Sequence, residues 1–252
     1  MKIHFLGTGT STGNPEIGCE CVVCKSTDKR DKRLRASILV EADNKRILID
    51  CGPDFREQIL TKDFAKIDAI LLTHEHYDHV GGIDDVRPFN KFGDVNIYAE
   101  DYVADALMER IPYCFQEQKY PGVPNILLHK INIVPFFVDG LEIIPIRLMH
   151  QNLPIFGYRI GNMAYLTDLK YIPETEFDKL KDLDILIIDA LRIAEHQSHQ
   201  NLEQALAAIK RINPKTSYLI HMSHHMGLHS EVEKILPENV FLPFDGLVVD
   251  AG

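Results

Sequence analysis

The segment Thr73-His74-Glu75-His76-Tyr77-Asp78-His79 constrains this chain more than any other. It follows directly on Asp68-Ala69-Ile70-Leu71-Leu72, an apolar run that reads as a buried strand, so four groups able to bind a metal leave a rigid edge together. His74 and His76 are two apart and project to one side of an extended segment, while Asp78 and His79 come a turn later and can face a second ion. Gly81 and Gly82 let the backbone bend away into a following helix. A lone histidine at a strand end reads best as a solvated loop residue. Three histidines and an aspartate within the six positions 74–79 read differently. Clustered neutral imidazoles beside a carboxylate are what divalent first-row metals select.

Apolar runs rich in Ile, Val and Leu recur along the chain, each closed by a turn or a polar residue, and they predict strands at 36–40, 46–50, 68–73, 95–99, 125–134, 141–150, 156–160, 163–167, 185–191, 217–221 and 247–250. Helical patterns fall at 54–60, 102–110, 174–181 and 202–212, the last with Leu202, Ala205, Leu206 and Ile209 on one stripe and Pro214 beyond its end. Few helices among many strands suit an α/β fold of two stacked mixed sheets with helices outside, an αββα sandwich, better than a doubly wound single sheet. At 252 residues, with no repeat or linker, residues 1–252 read as one domain. The 111–124 loop, with Tyr113, Phe115, Tyr120 and two prolines, reads either as a substrate lid or as surface packing.

Charge and cysteine usage narrow the function. A formal net charge of −10 opposes binding to a long nucleic acid, whose affinity comes from lysines and arginines displacing counterions. A small anionic substrate remains compatible, because bound cations dominate a local field whatever the global charge. No stretch approaches the roughly 20 apolar residues of a membrane span, and the opening residues lack a signal peptide's apolar core, so a cytoplasmic protein with no membrane partner is expected. The five cysteines are an odd number, and Cys19, Cys21 and Cys24 crowd together, which suits a reducing compartment and metal ligation better than disulfides.

The motif matches the His-x-His-x-Asp-His signature of the metallo-β-lactamase superfamily, which the chain resembles over nearly its whole length. The resemblance implies that later strand ends supply the remaining ligands, at His150, Asp168 and His221. One ion would then be held by His74, His76 and His150, the other by Asp78, His79 and His221, and Asp168 would bridge both. Read alone, His150 and His221 are equally well packed core histidines and Asp168 a turn residue; each sits where an apolar strand gives out.

Cys19-Glu20-Cys21-Val22-Val23-Cys24 has the spacing of a thiolate site, and soft sulfurs favour zinc in closed tetrahedral coordination. His224, three residues past His221, is the candidate fourth ligand; reduced surface thiols or a redox Cys-x-x-Cys pair are the alternatives. With Gly7-Thr8-Gly9, His221-Met222-Ser223-His224 and Phe244-Asp245-Gly246, this combination resembles the branch containing the cyclic phosphodiesterases of bacterial phosphonate breakdown. Those enzymes use two catalytic metals and a structural zinc held by three cysteines and a histidine. The resemblance places the general acid at His199, with His196 nearby as the other candidate. Gly7, Gly9 and Gly13 imitate a dinucleotide fingerprint, but the last glycine is one residue late and no helix follows, so a tight turn is expected.

The catalytic set expected is His199, Asp78 and Asp168. The reaction expected is hydrolysis of a small phosphodiester, cyclic ones included, by a hydroxide held between two zinc or manganese ions, since a bound metal lowers the pKa of water from 15.7 to about 7. A lactonase, thioesterase or β-lactamase would use the same centre, because fold and metals do not fix the substrate. A nuclease acting on structured RNA is disfavoured by the acidity, and a non-catalytic metal-binding protein by the complete ligand set. A homodimer is compatible with the sequence.

Overall fold

The computed structural model describes residues 1–251 except 117 and 119. The first of two seven-stranded sheets takes β1 (Lys2–Gly7), β2 (Ser37–Ala42), β3 (Lys45–Ile49), β4 (Ala69–Leu71), β5 (Val95–Glu100) and β6 (Ile126–Ile131) in sequence order. The second takes β7 (Phe136–Val138), β8 (Leu141–His150), β9 (Leu153–Ile160), β10 (Met163–Leu166), β11 (Ile185–Asp189), β12 (Thr216–Ile220) and β13 (Val240–Phe241). The last strand, β14 (Val248–Asp250), returns to pair with β1. Each sheet is antiparallel through its early strands and parallel from β3 and β10 onward.

Alternation along the strands builds the layers. In β2, Ile38 and Val40 face the second sheet while Leu39 faces outward; in β11, Ile185 and Ile187 face the first sheet while Leu186 and Ile188 face outward. A period of two on strands covered on both faces makes every position apolar, which is why these runs read as continuous. The inner faces close on Phe5, Phe156, Tyr158 and Tyr165. Outside the first sheet lie α1 (Phe55–Ile59), α3 (Asp101–Arg110) and a 3-10 helix at Ile83–Phe92, whose Phe55, Phe89, Val103 and Leu107 bury against Leu39, Leu48 and Ile97. Outside the second lies α4 (Leu202–Ile212), which turns Leu202, Ala205 and Ile209 inward. Two short helices remain, α2 (Tyr77–Val80) and α5 (His229–Val232). The result is the expected αββα sandwich.

Local departures have local causes. The expected helix at 174–181 is a 3-10 helix, Glu174–Leu180. The helix after Gly82 is also 3-10 and contains Pro88, which has no N–H for an α-helical ladder, and it stops at Gly93 with φ 111°. The strand expected to reach 134 ends at Ile131. In the 111–124 loop, Pro112–Cys114 forms a 3-10 turn, and Tyr113 Oη donates to Asp84 Oδ1 at 2.9 Å. The lid reading of this loop falls partly on 117 and 119, outside the described residues. No described helix is long and apolar enough to cross a membrane.

Strands β4, β8, β10, β11 and β12 deliver their carboxyl ends to one edge of the sandwich. Tyr158 Oη in β9 donates to Leu72 O at 2.6 Å, and Phe156 N donates to Thr73 O at 3.0 Å. These two bonds stitch the sheets together at that edge.

Candidate metal centre

Leu72 ends the apolar run of β4, and Thr73 turns the chain so that His74 faces inward with no exposed surface. His76 precedes α2, which carries the buried Asp78 and His79. Two glycines let α2 sit this low. A Cβ on Gly52 would lie 2.0 Å from Asp78 O, and one on Gly82 2.0 Å from Gly52 O, so only bare backbone fits between the β3–α1 turn and the motif.

His150 is the last residue of β8, Asp168 follows β10 by two positions, and His221 follows β12 directly. Asp168 and His221 both adopt left-handed backbone, φ 55° and 61°, which turns each side chain off its strand into the centre. All seven expected ligands converge. The rings of His74, His76 and His150 form a triangle with centroids 4.5, 5.3 and 5.8 Å apart. On the other side, one ligand atom each of Asp78, His79, Asp168 and His221 lie within 4.8 Å of one another. Asp168 stands between: Oδ2 is 3.8 Å from His74 Nε2, while Oδ1 is 3.3 Å from His79 Nε2 and 3.1 Å from His221 Nε2.

The outer nitrogens of His74, His79 and His150 are committed elsewhere, which aims the inner ones. His79 Nδ1 donates to Asp50 Oδ2 at 2.7 Å, and His150 Nδ1 to Asp168 O at 2.8 Å. His74 Nδ1 meets Thr73 Oγ1 at 3.0 Å, and that hydroxyl in turn donates to Asp50. The buried Nε2 atoms of His74 and His79 are left facing the centre with no hydrogen-bond partner among the described residues.

Charge balance points the same way. Asp50, Asp78, Asp168 and Asp189 are all buried here, and among the described residues their ion-pair partners are all histidines. Burial pushes the Asp78 carboxyl up, but the His79 charge and the hydrogen bond from His221 outweigh it and hold it below the usual range. Asp168 is held low in the same way, against its burial, by His221 and then His79. Burial alone would lower His79, yet Asp168, Asp78 and Asp50 raise it well above an ordinary imidazole, whereas burial and the His79 charge drive His74 down. Buried carboxylates here demand positive charge. A pair of divalent cations fits the nitrogen and oxygen donors that supply it, and second-sphere carboxylates such as Asp50 are the usual orienters of ligating histidines.

His199 lies at the edge of the centre. Its ring stacks on His221 at 5.0 Å and meets His150 edge-on at 4.7 Å, and Nδ1 is 3.2 Å from Asp189 Oδ2. The other oxygen of Asp189 is 3.9 Å from His221 Nδ1. His196 stands one step further out, 5.2 Å from His199. Asp50 and Asp189 were not read from the sequence. Each ends a run of apolar strand residues, Arg46-Ile47-Leu48-Ile49-Asp50 and Ile185-Leu186-Ile187-Ile188-Asp189, and a carboxylate so placed is a signal because its burial is expensive without a partner.

A second cluster forms beside the first. Ligand atoms of Cys19, Cys21, Cys24 and His224 lie within 4.8 Å of one another, with Cys24 Sγ 3.1 Å from His224 Nδ1. Burial pushes the Cys24 thiol up to about 11, while the Cys24 backbone N–H lowers Cys21. Three sulfurs and an imidazole nitrogen could hold one zinc in a closed tetrahedral site.

A family model described as "Beta-lactamase superfamily domain" matches residues 45–222. An octanoyltransferase of Porphyromonas gingivalis is 48% identical over 250 residues, which cover 98% of this chain and 51% of that protein. The chain spans about half the length of the curated relatives it matches. Among solved structures, a diphosphatase from the PhnP family superposes with a TM-score of 0.93 at 38% identity, over 100% of this chain and 98% of that one. Zinc-bound PqqB from Methylobacterium extorquens superposes at 0.80 with 18% identity over the full length of both, a likeness of fold alone.

Proposed function

The chain belongs to the β-lactamase superfamily, and on that premise we propose that this metallohydrolase cleaves a small phosphodiester. The observation that carries the reading is the pairing of two ligand sets around Asp168 with a buried histidine, His199, at their edge. His74, His76 and His150 would hold one zinc or manganese ion, Asp78, His79 and His221 the other, and Asp168 both; Cys19, Cys21, Cys24 and His224 would hold a structural zinc. When bound, the paired ions supply Lewis acidity and water activation near neutral pH.

The chain's own groups supply the rest. Asp189 fixes His199 Nδ1, which leaves Nε2 as the atom that carries a proton to the departing oxygen. Asp50 and Thr73 hold His74 and His79 in one orientation, so the ligand set needs no rearrangement as charge grows on the substrate. The cations that the four buried carboxylates call for would attract a small anion locally, whereas a long nucleic acid would meet a chain of net charge −10.

Two further substrates have specific support. The 38% identity to a diphosphatase favours cleavage of a phosphoanhydride with the same groups. The octanoyltransferase relative favours an acyl ester or thioester, although that name belongs to a protein about twice as long. Metal-replete enzyme assayed on an aryl phosphodiester, a diphosphate diester, an octanoyl thioester, a lactone and a cephalosporin separates these. The expected result is turnover of the phosphodiester above all others; preference for the diphosphate or the thioester replaces the reading.

A further inference from the structure

We propose that Lys170 is a positioning residue that sets His199 for proton transfer, acting through the loop that carries it; the inference rests on the reading of His199 as proton donor. The Lys170 ammonium has one acceptor for each of its three hydrogens, two on the loop of His199 and one at the start of α4. Nζ donates to His196 O at 2.6 Å, to His199 O at 3.3 Å and to Gln204 Oε1 at 3.2 Å. The first two acceptors bracket the turn that ends in His199. The third is itself fixed, because Gln204 completes the capping box of α4 with Asn201.

The other end of Lys170 is anchored to the metal centre. Its backbone N–H donates to Met149 O at 2.7 Å, and Met149 N donates to Tyr171 O at 3.1 Å, so position 170 is held beside His150. Asp168, two residues earlier, accepts His150 Nδ1 through its carbonyl. Gln200 N donates to Leu169 O at 2.9 Å and closes the seam. One side chain therefore ties the frame of His150 and Asp168 to the loop of His199.

All three acceptors are neutral, and an ammonium has three donors, so none is left for an anionic substrate. Direct substrate binding is thereby excluded as the role of Lys170 in this arrangement. A four-carbon stem ending in three diverging donors suits three converging acceptors, and the planar fork of arginine does not reproduce it. Misplacing a reacting group by about 1 Å can remove on the order of 100-fold in rate.

The test is a double-mutant cycle on two phosphodiesters, with kcat and KM for wild type, K170M, H199A and the double variant, each metal-replete by elemental analysis. Bis(p-nitrophenyl) phosphate releases a phenolate that needs no proton; a nucleoside 2′,3′-cyclic phosphate releases an alkoxide that does. K170M is expected to lower kcat on the cyclic ester by about tenfold or more, with KM within about twofold and the aryl ester within about threefold. In the H199A background the further loss on the cyclic ester is expected to be under about twofold, because both changes remove one function. Equal losses on the two esters, an undiminished loss in the H199A background, or no loss at all overturns the proposal. K170Q is the second variant should K170M fail to fold, with the same expected pattern and the same overturning results. H199A with wild-type turnover of the cyclic ester overturns the reading of His199 itself, and that result appears with Lys170 intact.

Discussion

Asp50 accepts the Nδ1 hydrogen of His79 at 2.7 Å, and neither side chain has any exposed surface. The same carboxylate takes the Thr73 backbone N–H and hydroxyl, so one buried anion sets the directions of two histidines proposed as ligands. Replacing it with Ala frees His79 to rotate. Metal affinity of D50A is expected to fall by about 10- to 100-fold, the usual size of losing an orienting partner, as read by competition with a chelating dye. Wild-type affinity in D50A removes Asp50 from this role.

His199→Ala should separate chemistry from binding. Turnover of an alkyl phosphodiester is expected to drop about 100- to 10,000-fold while metal content stays at the wild-type level. His196→Ala should cost far less, since the His196 ring stands one step further out, 5.2 Å from His199. The reverse ranking would exchange the two roles.

Gly52 offers a structural test. An added methyl would meet Asp78 O at 2.0 Å, a backbone atom that cannot rotate aside. Gly52→Ala is expected to destabilise the fold by about 1–3 kcal/mol or more and to lower occupancy of the ion that Asp78 and His79 would hold. Thermal unfolding and elemental analysis read both effects. A variant with unchanged melting and metal content would show that α2 does not depend on this contact.

Asp245 gives a pH dependence away from the ligands. Burial pushes its carboxyl up to about 6, despite hydrogen bonds from Leu34 N and Thr8 Oγ1 and the nearby Arg33. The folded state therefore holds this proton more tightly than the unfolded chain. Its contribution is full below about pH 4 and is lost as pH rises to about 6, on the order of 3 kcal/mol at most. Urea unfolding of wild type and D245N should diverge across this window, with wild type losing stability relative to the variant as pH rises. Parallel stabilities would contradict the shift.

The sheets were legible because both faces of their strands are buried, which makes runs such as Arg46-Ile47-Leu48-Ile49 apolar at nearly every position. β7 and β13 were not legible: they are three and two residues long and lie at sheet edges, too short for a period to register. The proposed ligands of the motif stood out because they crowd into one segment. His150, Asp168 and His221 could be placed only through the resemblance, since a single polar residue past a strand carries no period. Asp50, Asp189 and Lys170 escaped because they act through other side chains and their partners lie far off in sequence. The three acceptors of Lys170, at positions 196, 199 and 204, exist as a set only once the loop is folded.

Element-resolved anomalous diffraction from metal-replete crystals tests the central claim most directly. Two ions are expected among His74, His76, Asp78, His79, His150, Asp168 and His221, and one zinc among Cys19, Cys21, Cys24 and His224. Replete protein whose seven histidine and aspartate ligands hold no ion would contradict it.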